Sequence, residues 1–184
     1  MPTTPALPTT MATPAATDKI IFAFETAYNV AWQTVNDDVM GGVSTSDFRL
    51  TNRVAVFQGE VSLLNNGGFA SVRARPADPA LTGCAGFVIR VRGDGRRYKF
   101  TVRMEHNFDS VIYQAGFATK NGLWAEHRLP QKEFVPTFRG RVLSGEPPFS
   151  SAEVRSVGFL ISDRQAGPFR LEIAWIKATT ISER

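Results

Sequence analysis

Residues 36–44, Asn-Asp-Asp-Val-Met-Gly-Gly-Val-Ser, set two adjacent carboxylates beside a methionine and a glycine pair. Three chemistries use such a set: a general acid/base couple, a hard-cation site, or a turn whose side chains accept backbone hydrogen bonds. Consecutive residues of an extended segment point to opposite sides, so Asp37 and Asp38 are poorly placed to flank one bond or share one proton. In a turn each could accept from nearby amides, and Gly41-Gly42 permits positive φ or close chain approach. A calcium site needs several oxygens, and no regular ligand spacing follows these two. The backbone-acceptor reading leads, and no metal is expected.

The other reactive side chains are few. His106 and His127 with the single Cys84 do not make a zinc set. The sequence has no G-x-S-x-G elbow, P-loop or H-E-x-x-H, and "RGDGRRY" (92–98) lacks the third glycine of a dinucleotide fingerprint. Cys84 reads as a small packed residue. His127 shares strand parity with Leu123, Ala125 and Leu129, which predicts a histidine at the edge of the core. Trp32, Trp124 and Trp175 could make a sugar-stacking platform, but packing with a bonded indole N–H explains them more simply. Trp175 has the parity of Phe169, Leu171 and Ile173 and is expected inside, whereas Trp124 alternates with Glu126 and Arg128. No cofactor and no catalytic residue is expected.

The elements that must carry these residues are strands. In "RRYKFTVRM" (96–104), Tyr98, Phe100, Val102 and Met104 alternate with Arg97, Lys99, Thr101 and Arg103, the period of a strand with one buried face. Residues 20–24, 54–63, 69–75, 86–92, 110–119, 123–130, 154–162 and 169–178 read the same way. Asn65-Asn66-Gly67-Gly68 is predicted to connect a hairpin, and Gly93-Asp94-Gly95 to join 86–92 to 96–104 as paired neighbours. No dozen residues show a capped 3.6 period. Many short strands at this spacing predict an all-β, two-sheet sandwich or barrel.

At 184 residues, with 43% hydrophobic and 21% charged side chains, the chain is expected to be one globular domain, residues 19–180, behind a disordered Pro/Thr/Ala-rich tail, residues 1–18. Four prolines and no charge before Asp18 argue against helix or sheet in that tail. Its apolar runs fall short of the roughly 18 residues of a membrane span, and no basic region precedes an apolar one as in a secretory signal. Of the net charge of +4, residues 73–103 carry +6, from eight bases against Asp78 and Asp94, leaving −2 elsewhere. This is either a basic docking face or the wet side of ordinary strands.

The ordered series "W..VNDDVMGGVS", "F.G.VSLLNNGGFASVRARP", "VRGDGRRYKFTVR", "F.PTFRGR" and "GFLISDRQAGPFRLEIAWI" resembles the complex I intermediate-associated protein family from about Trp32 to Ile176. The resemblance implies a galactose-binding-domain-like sandwich of jelly-roll type. It also implies a non-catalytic assembly factor acting on unassembled subunits of respiratory complex I or a related membrane complex. A compact bacterial stand-alone version is expected, cytoplasmic or peripheral at the inner face of the membrane. The family's signature loop maps onto Asn36, Asp37, Asp38, Met40, Gly41 and Gly42, read as a constrained recognition element with a plugging methionine. Loops bearing Asn66, Gly67 and Gly68, and a basic face with Arg92, Asp94, Arg97 and Lys99, are expected beside it. A protein partner ranks first, a carbohydrate second and a nucleic acid third, because Tyr98 and Phe100 alternate with the bases and so should be buried rather than stacked on nucleobases.

Overall fold

The computed structural model describes residues 16–25, 31–76, 81–107 and 110–181. Among these residues β1 (Ala16–Ala23), β3 (Thr45–Thr51), β4 (Val54–Val61), β6 (Cys84–Arg92), β9 (Trp124–Pro130) and β13 (Gly167–Ile181) form one sheet. Its order is β3-β4-β13-β6-β9, with β1 also on β13. The second sheet holds β2 (Gln33–Asn36), β5 (Ala70–Ala74), β7 (Arg97–Arg103), β8 (Ile112–Ala118), β10 (Val135–Phe138), β11 (Arg141–Val142) and β12 (Ser156–Ile161), in the order β11-β10-β8-β7-β12-β5-β2. Every ladder between these described strands is antiparallel. The all-β, two-sheet sandwich expected from the alternation is what forms. No described helix is long and apolar enough to cross a membrane.

The alternating apolar residues meet between the sheets. Tyr98, Phe100 and Val102 of β7 face inward with Phe87, Ile89 and Val91 of β6. The Phe87 and Phe100 rings lie 5.0 Å apart, and Phe100 and Phe159 5.4 Å. Burying one such side chain stabilises by about 1.5–3 kcal/mol. Phe134 and Phe149, 5.1 Å apart, pack with Phe87. Trp32 stacks on Phe48 at 4.6 Å and meets Phe22 at 5.0 Å, so it packs against the core. Cys84 is buried, its thiol donating to the Gly86 carbonyl at 2.9 Å; burial pushes that thiol up.

Three local expectations are corrected. The Asn65–Gly68 segment joins no hairpin: β4 pairs with β3 and β13, and β5 with β2 and β12. With Asn65 and Asn66 at φ 55° and 61°, the chain coils through a 3-10 turn, Leu64–Asn66, and crosses between sheets. The residues tolerate positive φ as their types suggest, but they are used to change layers. Likewise Gly93–Gly95 carries the chain from β6 in one sheet to β7 in the other, and those strands are not paired. Finally, residues 16–18, assigned to the tail, begin β1, with Thr17 opposite Thr180; residues 1–15 lie outside the described part.

Trp175 also departs from its parity. A β-bulge between Ile173 and Trp175 in the ladder with β6 inserts one residue, which resets the alternation. Ile173, Ile176 and Ala178 are buried, while Trp175 is only partly buried and lies outside the core, with the Lys177 ammonium 4.2 Å from its ring centre.

His127 sits on β9 at the core edge, its ring 5.0 Å from Phe117. Its Nε2 is buried and has no hydrogen-bond partner among the described residues. Burial pushes the imidazole below its ordinary range. The unfolded chain therefore binds this proton more readily, and stability falls as pH drops through about 6.5, the unperturbed histidine value. His127→Phe is expected to narrow the fall in melting temperature between pH 7.5 and 5.5. Parallel melting curves of the two proteins measure this, and identical pH slopes would contradict it.

Candidate functional site

The signature loop is organised around one carboxylate. Asn36 ends β2, and Asp37–Met40 form a single 3-10 turn closed by Gly41 at φ 86°. Asp37 is fully buried. Its Oδ1 accepts the Ser44 amide at 2.9 Å, and its Oδ2 accepts the Ser44 hydroxyl at 2.5 Å, the Gly68 amide at 2.6 Å and the Phe69 amide at 3.2 Å. Burial alone would push this carboxyl up, but the Ser44 hydroxyl and the three amides outweigh it and hold it below the ordinary carboxylate value. The charge stays on the carboxylate and is spent on tying two loops together.

The glycines around it are dictated by space. A Cβ on Gly42 would stand 2.3 Å from the Asp37 carboxyl carbon, and one on Gly67 2.6 Å from Oδ2. Both contacts are too short for any other residue without movement. Gly68, at φ 138°, turns its amide onto the carboxylate. Ser44 Oγ also accepts the Ser62 amide at 2.9 Å, and Asn36 Oδ1 accepts the Ser46 hydroxyl at 2.6 Å. The loop is thereby fixed to β3 and to the β4–β5 crossing.

What this knot displays is apolar. Val39 and Met40 are 63% and 61% exposed, and Leu64, on the second loop, is 67% exposed. Met40 therefore plugs nothing: the buried residue of the Asp37–Met40 turn is Asp37, and the methionine stands on the surface. Asp38 is exposed on the same turn. Gly67 and Gly68 lie against Asp37 of the signature loop, and Asn66 lines the same groove as Met40.

The expected basic face is two surfaces on opposite sheets. Arg92 belongs to the outer side of the six-stranded sheet. It pairs with Glu172, Nε to Oε2 at 2.9 Å, and its guanidinium lies 5.0 Å from the Trp124 ring centre. Arg90 lies 5.9 Å from the same ring and pairs with Glu126 at 3.2 Å. Arg97 and Lys99 are on β7 in the other sheet. Arg97 is exposed, its amide bonded to the Gln165 side chain, and Lys99 pairs with Asp163 at 2.7 Å. Asp94 is turned inward as a tie. One oxygen accepts the Arg96 amide at 3.1 Å and the Tyr98 hydroxyl at 3.0 Å, and the other accepts the Arg170 amide of β13 at 2.9 Å. Burial, then the Asp94 charge, push the Tyr98 phenol far up.

Arg97 and Lys99 share a sheet with Arg73 and Arg103, which the site expectation did not name. Register places Gly158 of β12 opposite Arg73 of β5 on one side and opposite Thr101 of β7 on the other. Arg73, Lys99, Thr101 and Arg103 line a groove of about 1120 Å3 on the outer side of the seven-stranded sheet, with Val39, Met40 and Gly67 at one end. Alternation within 69–75 and 96–104 marked these arginines as outward. Nothing local showed that β12 would bring the two strands together.

Comparison with known proteins adds lineage to this geometry. The sequence profile of the complex I intermediate-associated protein 30 family matches residues 22–173. The chain belongs to this family. Mouse complex I intermediate-associated protein 30, mitochondrial, is 34% identical over 96 residues, half of this chain and 29% of its own length. The Neurospora crassa protein of that name is 29% identical over 142 residues, 68% of this chain and 51% of its own. The Drosophila melanogaster one is 27% identical over 168 residues, 79% and 57%. The chain thus spans about half, or less, of the length of these curated relatives.

Among solved structures, a family 11 carbohydrate-binding module from Clostridium thermocellum, in complex with a mixed-linked tetrasaccharide, superposes with a TM-score of 0.66 at 12% identity. The match covers 91% of this chain and 98% of the module. A family 29 module gives 0.55 at 11%, covering 90% of each. At such identities the likeness is one of fold: this family member shares the two-sheet β-sandwich of these modules.

Proposed function

We propose that the chain is a non-catalytic assembly factor that holds an unassembled subunit of a membrane complex, of the respiratory complex I kind. Family membership across the folded residues carries this reading, since the relatives bear the name of complex I intermediate-associated protein 30. The physical support is a rigidly tied loop pair that presents Val39 and Met40 to solvent at the mouth of a polar groove. Loops held by a stiff sandwich are where partners dock, and exposed methionine adapts to apolar partners. The reactive side chains support a non-catalytic role: Asp37 is consumed by four donors, Cys84 is packed, and His127 faces Phe117. The client is met from the aqueous side, at the inner face of the membrane.

The test is a mild-crosslinking capture of the tagged protein from solubilised membranes and cytosol of its host, read by mass spectrometry. Enrichment of subunits of an immature membrane complex is expected. Lys99→Glu should weaken capture several-fold, while Arg92→Glu, on the opposite sheet, should not. Capture at background level from both fractions would refute the assembly role.

A further inference from the structure

Register gathers five loops at one end of the sandwich. In the seven-stranded sheet, Ala70 at the start of β5 stands opposite Asn36 at the end of β2 and Ile161 at the end of β12. Arg97, which opens β7, stands opposite Ala118 at the end of β8. In the other sheet, Val61 at the end of β4 faces Gly167, which opens β13, and Arg92 at the end of β6 faces Trp124, which opens β9. The loops 37–44, 62–69, 93–96, 119–123 and 162–166 therefore share that end, and every residue in them is described. Five of the nine large apolar side chains exposed among the described residues are here: Val39, Met40, Val43, Leu64 and Leu123, each 49% to 67% exposed.

These side chains are held out in water. Asp37 ties 37–44 to 62–69. Thr119 Oγ1 accepts the Gly95 amide at 3.1 Å and donates to the Arg96 carbonyl at 2.8 Å, and the Gly122 amide donates to the Gly93 carbonyl at 2.9 Å. The Arg96 guanidinium donates to the Gln165 and Ala166 carbonyls at 2.7 and 3.0 Å. Gly41, Asn65, Asn66 and Gly122 are at positive φ, so the apolar tips sit on tight turns. The ties keep them from folding back onto the core, although apolar surface gains by leaving water.

Cations stand at the same end. Arg97, Lys120 and Arg164 are exposed and make no ion pair with another described residue. Of the four acids on these loops, Asp37 is buried, Asp94 is turned inward and Asp163 pairs with Lys99, which leaves Asp38 facing water. An occupant must take separate apolar projections from a rigid frame and meet cations beside them. A folded protein would need a matching pocket for each projection. A bilayer surface admits each one at its acyl boundary and sets phosphates against the cations.

We propose that this loop end docks on an anionic bilayer, with Val39, Met40, Val43, Leu64 and Leu123 inserted at the acyl boundary and Arg97, Lys120 and Arg164 at the headgroups. The groove, which has Val39, Met40 and Arg164 in its wall, is then held at the membrane surface. The biological setting of this docking rests on the assembly-factor reading; the affinity of the loop end for lipid does not.

The test is flotation of the full chain with vesicles of phosphatidylcholine, alone or with one part in four of phosphatidylglycerol. Binding is expected to be stronger on the mixed vesicles and to weaken with added salt. Met40→Asp and Leu64→Asp should each weaken it at least tenfold. Val142→Asp should leave it unchanged: Val142 is 67% exposed, but it pairs with Thr137, which faces Ile112 at the far end of β8. Melting curves should show all variants folded. Bimane attached at Met40→Cys should shift to the blue on vesicles, and bimane at Val142→Cys should not, with the native Cys84 buried. Failure to float with the mixed vesicles, or full binding by folded Met40→Asp and Leu64→Asp, would overturn the proposal. So would an unshifted label at Met40→Cys, which would mean adhesion without insertion. The capture experiment separates the two readings. If the wild type ignores vesicles yet captures membrane-complex subunits, and Met40→Asp loses them, the loop end docks protein: the lipid proposal falls and the assembly role stands. If the wild type binds vesicles through these tips but captures no subunit, the assembly role falls and the lipid docking stands.

Discussion

Asp37→Ala is expected to cost about 3–5 kcal/mol of folding stability and to lower the melting temperature by roughly 10 °C or more. The substitution removes the side-chain acceptor shared by the Ser44, Gly68 and Phe69 amides, leaving donors desolvated without it. Asp38→Ala, one residue on and exposed, should stay within about 0.5 kcal/mol. Gly42→Ala should destabilise the wild type, because its Cβ would stand 2.3 Å from the Asp37 carboxyl. It should cost less in the Asp37→Ala background, where that carboxyl is gone, a non-additivity that a double-mutant cycle reads directly. The pH dependence has a definite sign. The folded carboxyl lies below its unfolded value, so its contribution is present above about pH 4 and is lost as pH falls below that. Asp37→Asn should therefore lose part of the acid-side slope of stability. Equal melting temperatures for Asp37→Ala and Asp38→Ala would contradict the knot.

The second large effect concerns Asp94, which stands in the sequence like a loop residue free to bind. Asp94→Ala should cost about 2–4 kcal/mol, since it strands the Tyr98 hydroxyl and the Arg170 amide and uncouples the start of β7 from β13. Arg97→Ala, one strand position from Tyr98 but exposed, should leave the melting temperature nearly unchanged. A melting temperature of Asp94→Ala equal to that of Arg97→Ala would contradict its role as a tie.

These contrasts show which features a sequence can carry. Period two along residues 96–104 placed Tyr98, Phe100 and Val102 inside because alternation is a property of one strand. The same counting failed at Trp175, since a single bulged residue resets the period. Partner choice is non-local: Asn65–Gly68 has the composition of a hairpin, and only the competition among β3, β13, β2 and β12 sends its flanking strands to different sheets. The Asp37 knot was half legible. Asp, Gly, Gly and Ser within eight residues suggest an acceptor in a tight turn, but two of the four donors come from Gly68 and Phe69, more than thirty residues later. The groove was least legible, because Arg73 and Arg103 are brought near each other by β12, which follows both in the chain.

The long strand β13 has a consequence for the order in which the protein can be made. Its first half pairs with β4, its second half with β1, and its other edge with β6, so it is the axis of the six-stranded sheet and yet the last described strand to leave the ribosome. Until it arrives, β4 and β6 each have an open edge, with Phe57 and Ile89 waiting for the strand that will cover them. Pairings as distant as Ala16 with Ile181 make closure a slow, high-contact-order step. A nascent chain in that state exposes sticky edges of the kind that recruit chaperones. During its own synthesis the six-stranded sheet therefore stays split, with β4 and β6 unjoined, until its last described strand arrives.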